Sequence, residues 1–425
     1  MGMRLHILSL LVLAMLFAGK LPAATPTGPY PSSGKPETDT IPQRLRFSAY
    51  GAVNYYAFDW ETLPDKRNAF DPERLNAYMY YTFSPKIELK TEVEFEHGGT
   101  GVTMDFDPLE EFGEFEQEVE KGGEVVLEQI NLLFRFHPWL NLRVGRMRIY
   151  TGNAANHDEP AEYFTAYRSE VENTILPLGW YETGLELSGD IPLAKDREFP
   201  HLSYKAYLIS GLDNSAFNSA NWIRRGYQTR FETINADNLA CALRLDYVFG
   251  DENEIGVTGY LGNTTGNRPK KDFTAPAWVG FGDLHFSMDH FPWRMRAYGM
   301  MGYLQNSEAL SAANRNLSNN LNVKRTPVGE AAAGAYIEAA YDLLHLFNPK
   351  TGQRFYCFSR VEYYDSMFRT QGNVTNNPRY ERSVLNLGFN YLPLHNIVFK
   401  THYAWRKLGS GEHENTFTAG MGFDF

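Results

Sequence analysis

From residue 45 onward the chain alternates between apolar and polar residues with a period of two. The segment 86–96 shows it most cleanly. Ile87, Leu89, Thr91, Val93 and Phe95 share one parity, and Lys86, Glu88, Lys90, Glu92, Glu94 and Glu96 share the other. Successive side chains of a strand leave opposite faces, so this segment has one apolar face and one fully charged face. The same alternation predicts strands near 44–58, 73–83, 86–96, 124–136, 140–150, 180–189, 202–211 and 239–249. It predicts eight more near 254–262, 278–288, 293–304, 329–343, 354–365, 381–391, 397–405 and 415–425. The last strand carries Phe417, Ala419, Met421, Phe423 and Phe425 on one face, and Thr416, Thr418, Gly420, Gly422 and Asp424 on the other.

The links between these strands alternate in length. Short turns such as Ser84-Pro85, His137-Pro138-Trp139, Gly250-Asp251-Glu252-Asn253, Asp289-His290-Phe291-Pro292 and Leu392-Pro393-Leu394-His395 follow even-numbered strands. Long links near 98–123, 151–179, 212–238 and 305–328 follow odd-numbered ones. A soluble sandwich has no reason to obey that parity. A membrane barrel with both termini on one side does. The links at 190–201 and 344–353 are longer than the usual short turn. The expected fold class is therefore all-β: a transmembrane antiparallel β-barrel of about sixteen strands, with short periplasmic turns and long extracellular loops.

Composition agrees with this reading. Aromatic residues make up 15% of the 425, with 26 Tyr and 29 Phe. Mean hydropathy is only −0.41, because each strand is half polar. No apolar run beyond the N-terminus is long enough for a spanning helix. At the N-terminus Arg4 precedes an apolar run from Ile7 to Phe17, followed by Ala23 and Ala24, the pattern of a secretory signal peptide over residues 1–24. Residues 25–43, rich in Pro, Gly, Ser and Thr, read as a flexible periplasmic leader, leaving 44–425 as the barrel. Removing the signal takes away Arg4 and Lys20 and no acid, so the net charge falls from −11 to −13. That excludes nucleic acid as an expected partner. The two cysteines, Cys241 and Cys357, fall on apolar faces and read as small apolar residues rather than a disulfide.

Several segments carry a resemblance. They include Tyr50-Gly51-Ala52-Val53-Asn54-Tyr55-Tyr56, Glu92-Val93-Glu94-Phe95-Glu96-His97-Gly98-Gly99 and Asn156-His157-Asp158-Glu159-Pro160. Further along come Trp180-Tyr181-Glu182-Thr183-Gly184, Ile223-Arg224-Arg225-Gly226 and Arg360-Val361-Glu362-Tyr363. In this order they resemble the phosphate-selective porin O/P superfamily of bacterial outer-membrane porins. The resemblance implies sixteen strands, a homotrimer, loops folded into the lumen, and anions such as phosphate among the solutes. A terminal aromatic on the last strand, here Phe425, is similar to the signal read by the outer-membrane assembly machinery.

Candidate chemistry lies on the polar faces. The expected pore-lining residues are Lys90, Glu92, Glu94, Arg143, Arg146, Arg148, Arg168, Arg244, Arg294, Arg296, Arg360, Glu362 and Lys400. Charges of both signs facing each other across a constriction set a transverse field that sorts solutes. Link 151–179, with Arg168 inside it, is the expected narrowing element. The acidic run 105–124 reads as a solvated loop, and Asn156-His157-Asp158-Glu159 as poor metal-ligand geometry. Tyr55, Tyr56, Trp60, Tyr80, Tyr81, Trp139, Trp278, Trp293, Tyr363 and Trp405 are expected in interfacial girdles. The leading expectation is a passive porin of a Gram-negative outer membrane. It would be non-enzymatic and without a cofactor, in contact with lipid and lipopolysaccharide, with anion or cation preference open. The competing readings are a sealed structural or adhesive barrel, an exporter, and an outer-membrane enzyme built on a Ser–His pair.

Overall fold

The computed structural model describes residues 44–111, 114–177, 179–195, 198–227, 234–317 and 325–425. The expected signal peptide and leader, 1–43, lie outside the described residues, as does Arg230 in the link after the seventh strand. Sixteen strands close on themselves, each antiparallel to its sequence neighbours, with β1 pairing β16. They are β1 Leu45–Trp60, β2 Ala69–Ser84, β3 Ile87–Glu111, β4 Glu114–His137, β5 Leu140–Arg148, β6 Tyr181–Pro192, β7 His201–Ser210 and β8 Leu239–Gly250. The others are β9 Asn253–Asn263, β10 Trp278–His290, β11 Trp293–Leu304, β12 Ala331–Asp342, β13 Arg354–Arg369, β14 Glu381–Leu394, β15 Ile397–Leu408 and β16 Glu414–Asp424. The expected count and the alternation of short and long links are both observed.

Two links depart from expectation. The acidic segment after residue 97 continues as strand: β3 and β4 stay paired out to Glu111 opposite Glu114, forming a long hairpin ribbon instead of a loop. The link after β12 holds a short helix, Leu344–Phe347, which accounts for its unusual length.

Outward residues form the apolar belt of a membrane-spanning barrel. Phe47, Ile130, Leu208, Leu243, Leu261, Leu284, Ile337, Val361 and Phe389 all stand exposed on it, far more contiguous apolar surface than a soluble monomer shows. Cys241 and Cys357 are free; Cys241 lies beside Leu208 and Leu261 on the outer face. Inward residues are polar and mostly buried: Glu92, Arg244, Asp246, Asp283, His285, Glu338, Arg360, Glu362, Lys400 and His402. This inverts a soluble protein, with water-seeking groups inside and hydrocarbon-seeking groups outside.

A dry core occupies the lumen toward the long-loop end. Helix α1 (Glu170–Thr174) and its flanks contribute Val171, Ile175, Leu176 and Trp180. The β7–β8 link contributes Phe217, Trp222 and Ile223, and helix α2 (Ser307–Arg315) contributes Leu310. They pack on inward residues of the wall, Tyr207, Tyr260, Val279, Phe281 and Met300. Trp222 takes a left-handed backbone, φ 48°, to lay its ring over Gly302, where any side chain would collide with it. Its indole donates to the Gly329 carbonyl at 3.1 Å.

Candidate functional site

The β5–β6 link, 149–180, folds into the lumen and is tied to strands around most of the circumference. Its principal node is Asp158. Tyr50 of β1 donates to one carboxylate oxygen at 2.6 Å, and Arg148 at the end of β5 donates to the same oxygen at 2.7 Å. Arg74 of β2 reaches the other oxygen at 3.0 Å and the Asp158 carbonyl at 2.7 Å. Arg168, from the link itself, also donates to that second oxygen. Burial would raise this carboxyl, but Arg74, Arg148 and Arg168 hold it well below the usual carboxylate range. Arg148 also lies 3.7 Å from Glu92. Glu92 in turn accepts from Tyr78 at 2.6 Å, Asn76 at 2.8 Å and Gln129 at 2.5 Å. Three guanidiniums and two carboxylates thus share one buried network in which most polar atoms are satisfied.

Four more ties fix the rest of the link. Arg244 of β8 donates to the Gly152 carbonyl at 2.6 Å, while Gly152 N–H donates to Asp283 at 3.2 Å. Gly152 has φ 60°, and a Cβ there would run into Glu172, so the close approach requires glycine. At the start of α1, Ser169 caps the helix and Glu170 pairs with Arg406 of β15 at 2.5 Å. Burial would raise the Glu170 carboxyl; Arg406, with a further hydrogen bond from Tyr364, brings it to about 2. The Val171 N–H donates to Glu362 at 3.2 Å, and Glu362 pairs with Arg360 at 2.6 Å. Lys400 donates to the Tyr163 and Thr165 carbonyls at 2.6 and 2.9 Å and lies over the Tyr163 ring.

The structure divides the thirteen sequence-predicted lining residues. Arg148, Arg168 and Glu92 meet at the Asp158 node. Arg244, Arg360, Glu362 and Lys400 act as anchors for the link. Arg294 pairs with Asp289 at 2.6 Å, and Arg296 lies on the same strand, β11, opposite Glu338 of β12. Arg146 stands 3.7 Å from Glu128, on a wall shared with Glu94. Lys90 and Arg143 remain half-buried around Tyr150 with Lys205, which sequence reasoning missed. Lys205 lies 5.0 Å from the Tyr150 ring centroid, and Lys90 lies 5.0 Å from that of Tyr78. Arg143 donates to Asn131 at 2.7 Å and is 3.4 Å from Glu186. Neither Lys90 nor Lys205 has a carboxylate within 4 Å among the described residues. Burial alone would raise the Tyr150 phenol, yet Lys90, Arg148, Lys205 and Arg143 together lower it.

Arg74 and Asp158 were also missed as partners. The signal was the inward parity that Arg74 shares with Asn76 and Tyr78. The motif 156–159 does not assemble as a metal site: Asp158 is neutralised by arginines, and the His157 Nδ1 lies 3.0 Å from the Asn153 carbonyl. A second cluster, Asp246, Glu254 and His285, has ligand-like spacing. Its carboxylates already hold Arg244, at 2.7 Å to Asp246 and 2.9 Å to Glu254, so a cation there would have to displace a guanidinium. Ser287 lies 3.4 Å from His157 Nε2, deep in the lumen. The other nitrogen of that histidine meets a carbonyl rather than an orienting acid, unlike an activated nucleophile. The girdle expectation fails for Tyr56, Trp60 and Tyr80. Their partners across the sheet are the inward Thr418, Glu414 and Lys90, so they face the lumen.

No family model matches the sequence. A 351-residue stretch, 80% of this chain, is 24% identical to an uncharacterized protein of Aquifex aeolicus (strain VF5), covering 71% of that protein. Among solved structures the fold is similar to a loop L8 deletion mutant of OmpT, an outer membrane protein of Vibrio cholerae. The TM-score is 0.50 at 11% identity, over 90% of this chain and 99% of that one. It is similar also to the outer membrane channel DcaP of Acinetobacter baumannii, with TM-score 0.50, 10% identity, and 90% and 97% coverage. A third likeness is to Salmonella typhi OmpF in complex with daunomycin, with TM-score 0.50, 12% identity, and 90% and 97% coverage. At such identities the likeness establishes the barrel fold.

Proposed function

We propose that this barrel is an outer-membrane channel of a Gram-negative bacterium, passing small hydrophilic solutes by diffusion with a preference for anions. The observation that carries this reading is the distribution of water-accessible charge inside. The link 149–180 and the dry core bury most of the inner wall. Half-buried cations remain along β3, β5 and β7, where Lys90, Arg143 and Lys205 surround Tyr150. The Lys90 and Lys205 ammonium groups, with no carboxylate within 4 Å among the described residues, attract anions and raise their local concentration in a narrow, low-dielectric passage. Phosphate is one anion such a wall would accept, in keeping with the sequence resemblance to O/P porins. A homotrimer is expected on the same resemblance.

The sealed-barrel reading is favoured by the number of ties holding the link across the lumen. One experiment separates the two. Purified protein, shown to be folded, is inserted in a planar bilayer under a salt gradient. Discrete current steps with an anion-side reversal potential support the proposal. Silence from inserted protein, or a cation-side potential, overturns it.

A further inference from the structure

The β12–β13 link leaves the sheet between two outward rings, Tyr341 and Phe355. Tyr341 shares the outer parity of Ile337 on β12, and Phe355 that of Val361 on β13, both exposed on the apolar belt. Tyr341 meets Trp293 of β11 at 4.7 Å between ring centroids, and Phe355 stacks on Phe389 of β14 at 5.6 Å and 3°. Aromatic rings at the end of an apolar belt mark the level of the lipid headgroups. The link therefore starts and finishes at the membrane interface on the short-turn side. Its short helix, α3 (Leu344–Phe347), is fixed from both ends. Asp342 accepts from the Leu344 and Phe355 N–H groups at 3.1 and 3.0 Å. His345 packs edge-on against Phe291 of the β10–β11 turn, at 4.9 Å and 89°, and Arg354 lies over the same ring at 4.6 Å. Held in this way, α3 leaves Leu346 and Phe347 61% and 83% exposed.

Two large apolar side chains held away from the protein gain free energy by leaving water. The charge of the link says what they enter. The chain has a net charge of −11, yet no acid occurs from Leu343 to Val361, and Lys350 stands exposed shortly after the helix. The neighbouring β10–β11 turn adds Asp289, which is paired with Arg294 at 2.6 Å, and the β14–β15 turn adds His395 and Asn396 and no acid. An apolar tip beside a local positive charge is complementary to a leaflet with anionic headgroups. A soluble protein partner would need far more surface than one helical turn offers, because stable interfaces bury about 1,200 Å² or more. A bilayer needs only two side chains placed at its own level. We propose that the β12–β13 link is an interfacial anchor. Leu346 and Phe347 enter the acyl region of the leaflet on the short-turn side, and Lys350 holds the phosphate of an anionic phospholipid. The inference concerns the outer rim and stands apart from whether the lumen conducts.

The test is site-specific fluorescence of the full-length barrel in phosphatidylcholine vesicles. Cys241→Ala and Cys357→Ala remove the native thiols, and bimane is attached through Asn348→Cys, which leaves Leu346 and Phe347 in place. Val361→Cys on the belt is the lipid reference, and Ser410→Cys in the exposed β15–β16 turn is the aqueous one. All variants are compared at wild-type heat-modifiable gel mobility, so that each is read in the folded barrel. Acrylamide, a neutral quencher, should reach residue 348 roughly fivefold less than residue 410, and Phe347→Ser should restore its access. Phosphatidylglycerol with a nitroxide on its acyl chain should quench residue 348 about twofold more than phosphatidylcholine labelled in the same way. That excess should be absent at residue 361 and abolished by Lys350→Glu. Acrylamide access at residue 348 equal to that at residue 410, or unchanged by Phe347→Ser, overturns the insertion. Equal quenching by the two labelled lipids, or an excess that survives Lys350→Glu, overturns the anionic phospholipid site.

Discussion

Replacing Asp158 with Asn probes the node that holds the inward link. In the native protein one carboxylate receives Arg74 at 3.0 Å, Arg148 at 2.7 Å, Tyr50 at 2.6 Å and Arg168. The amide keeps one acceptor oxygen and removes the negative charge, so three guanidiniums converge with Glu92, 3.7 Å from Arg148, as the remaining carboxylate within 4 Å of them among the described residues. Removing one partner from a buried ion set costs about 3–5 kcal/mol. Taking the lower end, because Glu92 stays and an amide still accepts, the docked segment should open about 100-fold more often. The anchors at Gly152, Val171 and Lys400 are untouched, so the opening should be local. Hydrogen exchange read by mass spectrometry should speed up in peptides covering 155–168 while those from β8 and β9 stay at wild-type rates. Asp158→Glu, which keeps the charge, should fall in between. Exchange in 155–168 unchanged within a factor of about three, or equal acceleration across the barrel, would refute the idea that this node latches the link. The pH dependence has a definite sign. A depressed carboxyl stabilises above its unfolded value, near 3.9, and that stabilisation is lost only as pH falls through the lower folded value. The contribution of the Asp158 carboxyl itself should therefore stay constant from pH 7 down to about pH 4, any slope in that range coming from other groups of the link.

Three further outcomes are expected. Burial, with Asp424 and Asp158 nearby, raises Glu159 to about 7, and burial with Glu159 nearby raises Glu162 to about 8; an acid raised in this way stabilises when protonated, so docking of the link should weaken as pH rises from about 4.5 through 8. Glu162→Gln should flatten that slope, measured as exchange in 155–168 corrected for intrinsic rate at pH 6 and 8.5, and a wild-type slope in the variant would contradict the assignment. The double variant Lys90→Ala, Lys205→Ala should move the reversal potential toward cations, lowering the anion-to-cation permeability ratio by roughly threefold or more; an unchanged potential would remove these residues from the pathway. Phe425→Ala keeps the backbone pair of Phe425 with Ala49, at 2.9 and 3.0 Å, so refolding in detergent should match wild type while the amount assembled in cells falls; equal assembly would discard the terminal-aromatic signal.

The fold was legible because its rule is local. A face exposed to lipid along every strand enforces period two. Segment 86–96, with its acids and apolar residues strictly interleaved, shows this within eleven residues. The ribbon formed by β3 and β4 was hidden because the acids of 105–124 interrupt the apolar parity that marks a strand, although the backbone pairs across it. The faces of Tyr56 and Trp60 were legible in principle: both share the parity of Asn54 and Tyr50. Aromatic character near a strand end pointed to a girdle, whereas parity decided the face. The partners inside the lumen were not legible at all. Arg74 meets Asp158 across 84 positions and Lys400 meets the Tyr163 carbonyl across 237, and no local pattern encodes a pairing made across the barrel.

The geometry of these ties bears on how anything passes. A link held from one wall could swing aside as a hinged lid. This one is held from β1, β2, β8, β10, β13 and β15 at once. Moving it as a body would break the Asp158 node, the Gly152 tie, the α1 anchors and the Lys400 contacts together. At about 1 kcal/mol for each neutral hydrogen bond and more for each charged one, that motion is too costly for routine permeation. Solute flow, if governed by this architecture, must use the space beside the link. On the proposed function it runs along β3, β5 and β7, where the inner wall keeps the half-buried cations Lys90, Arg143 and Lys205. On the proposed function, selectivity should therefore respond to Lys90 and Lys205 and respond little to Lys400 or Arg360, which hold the link from the far side.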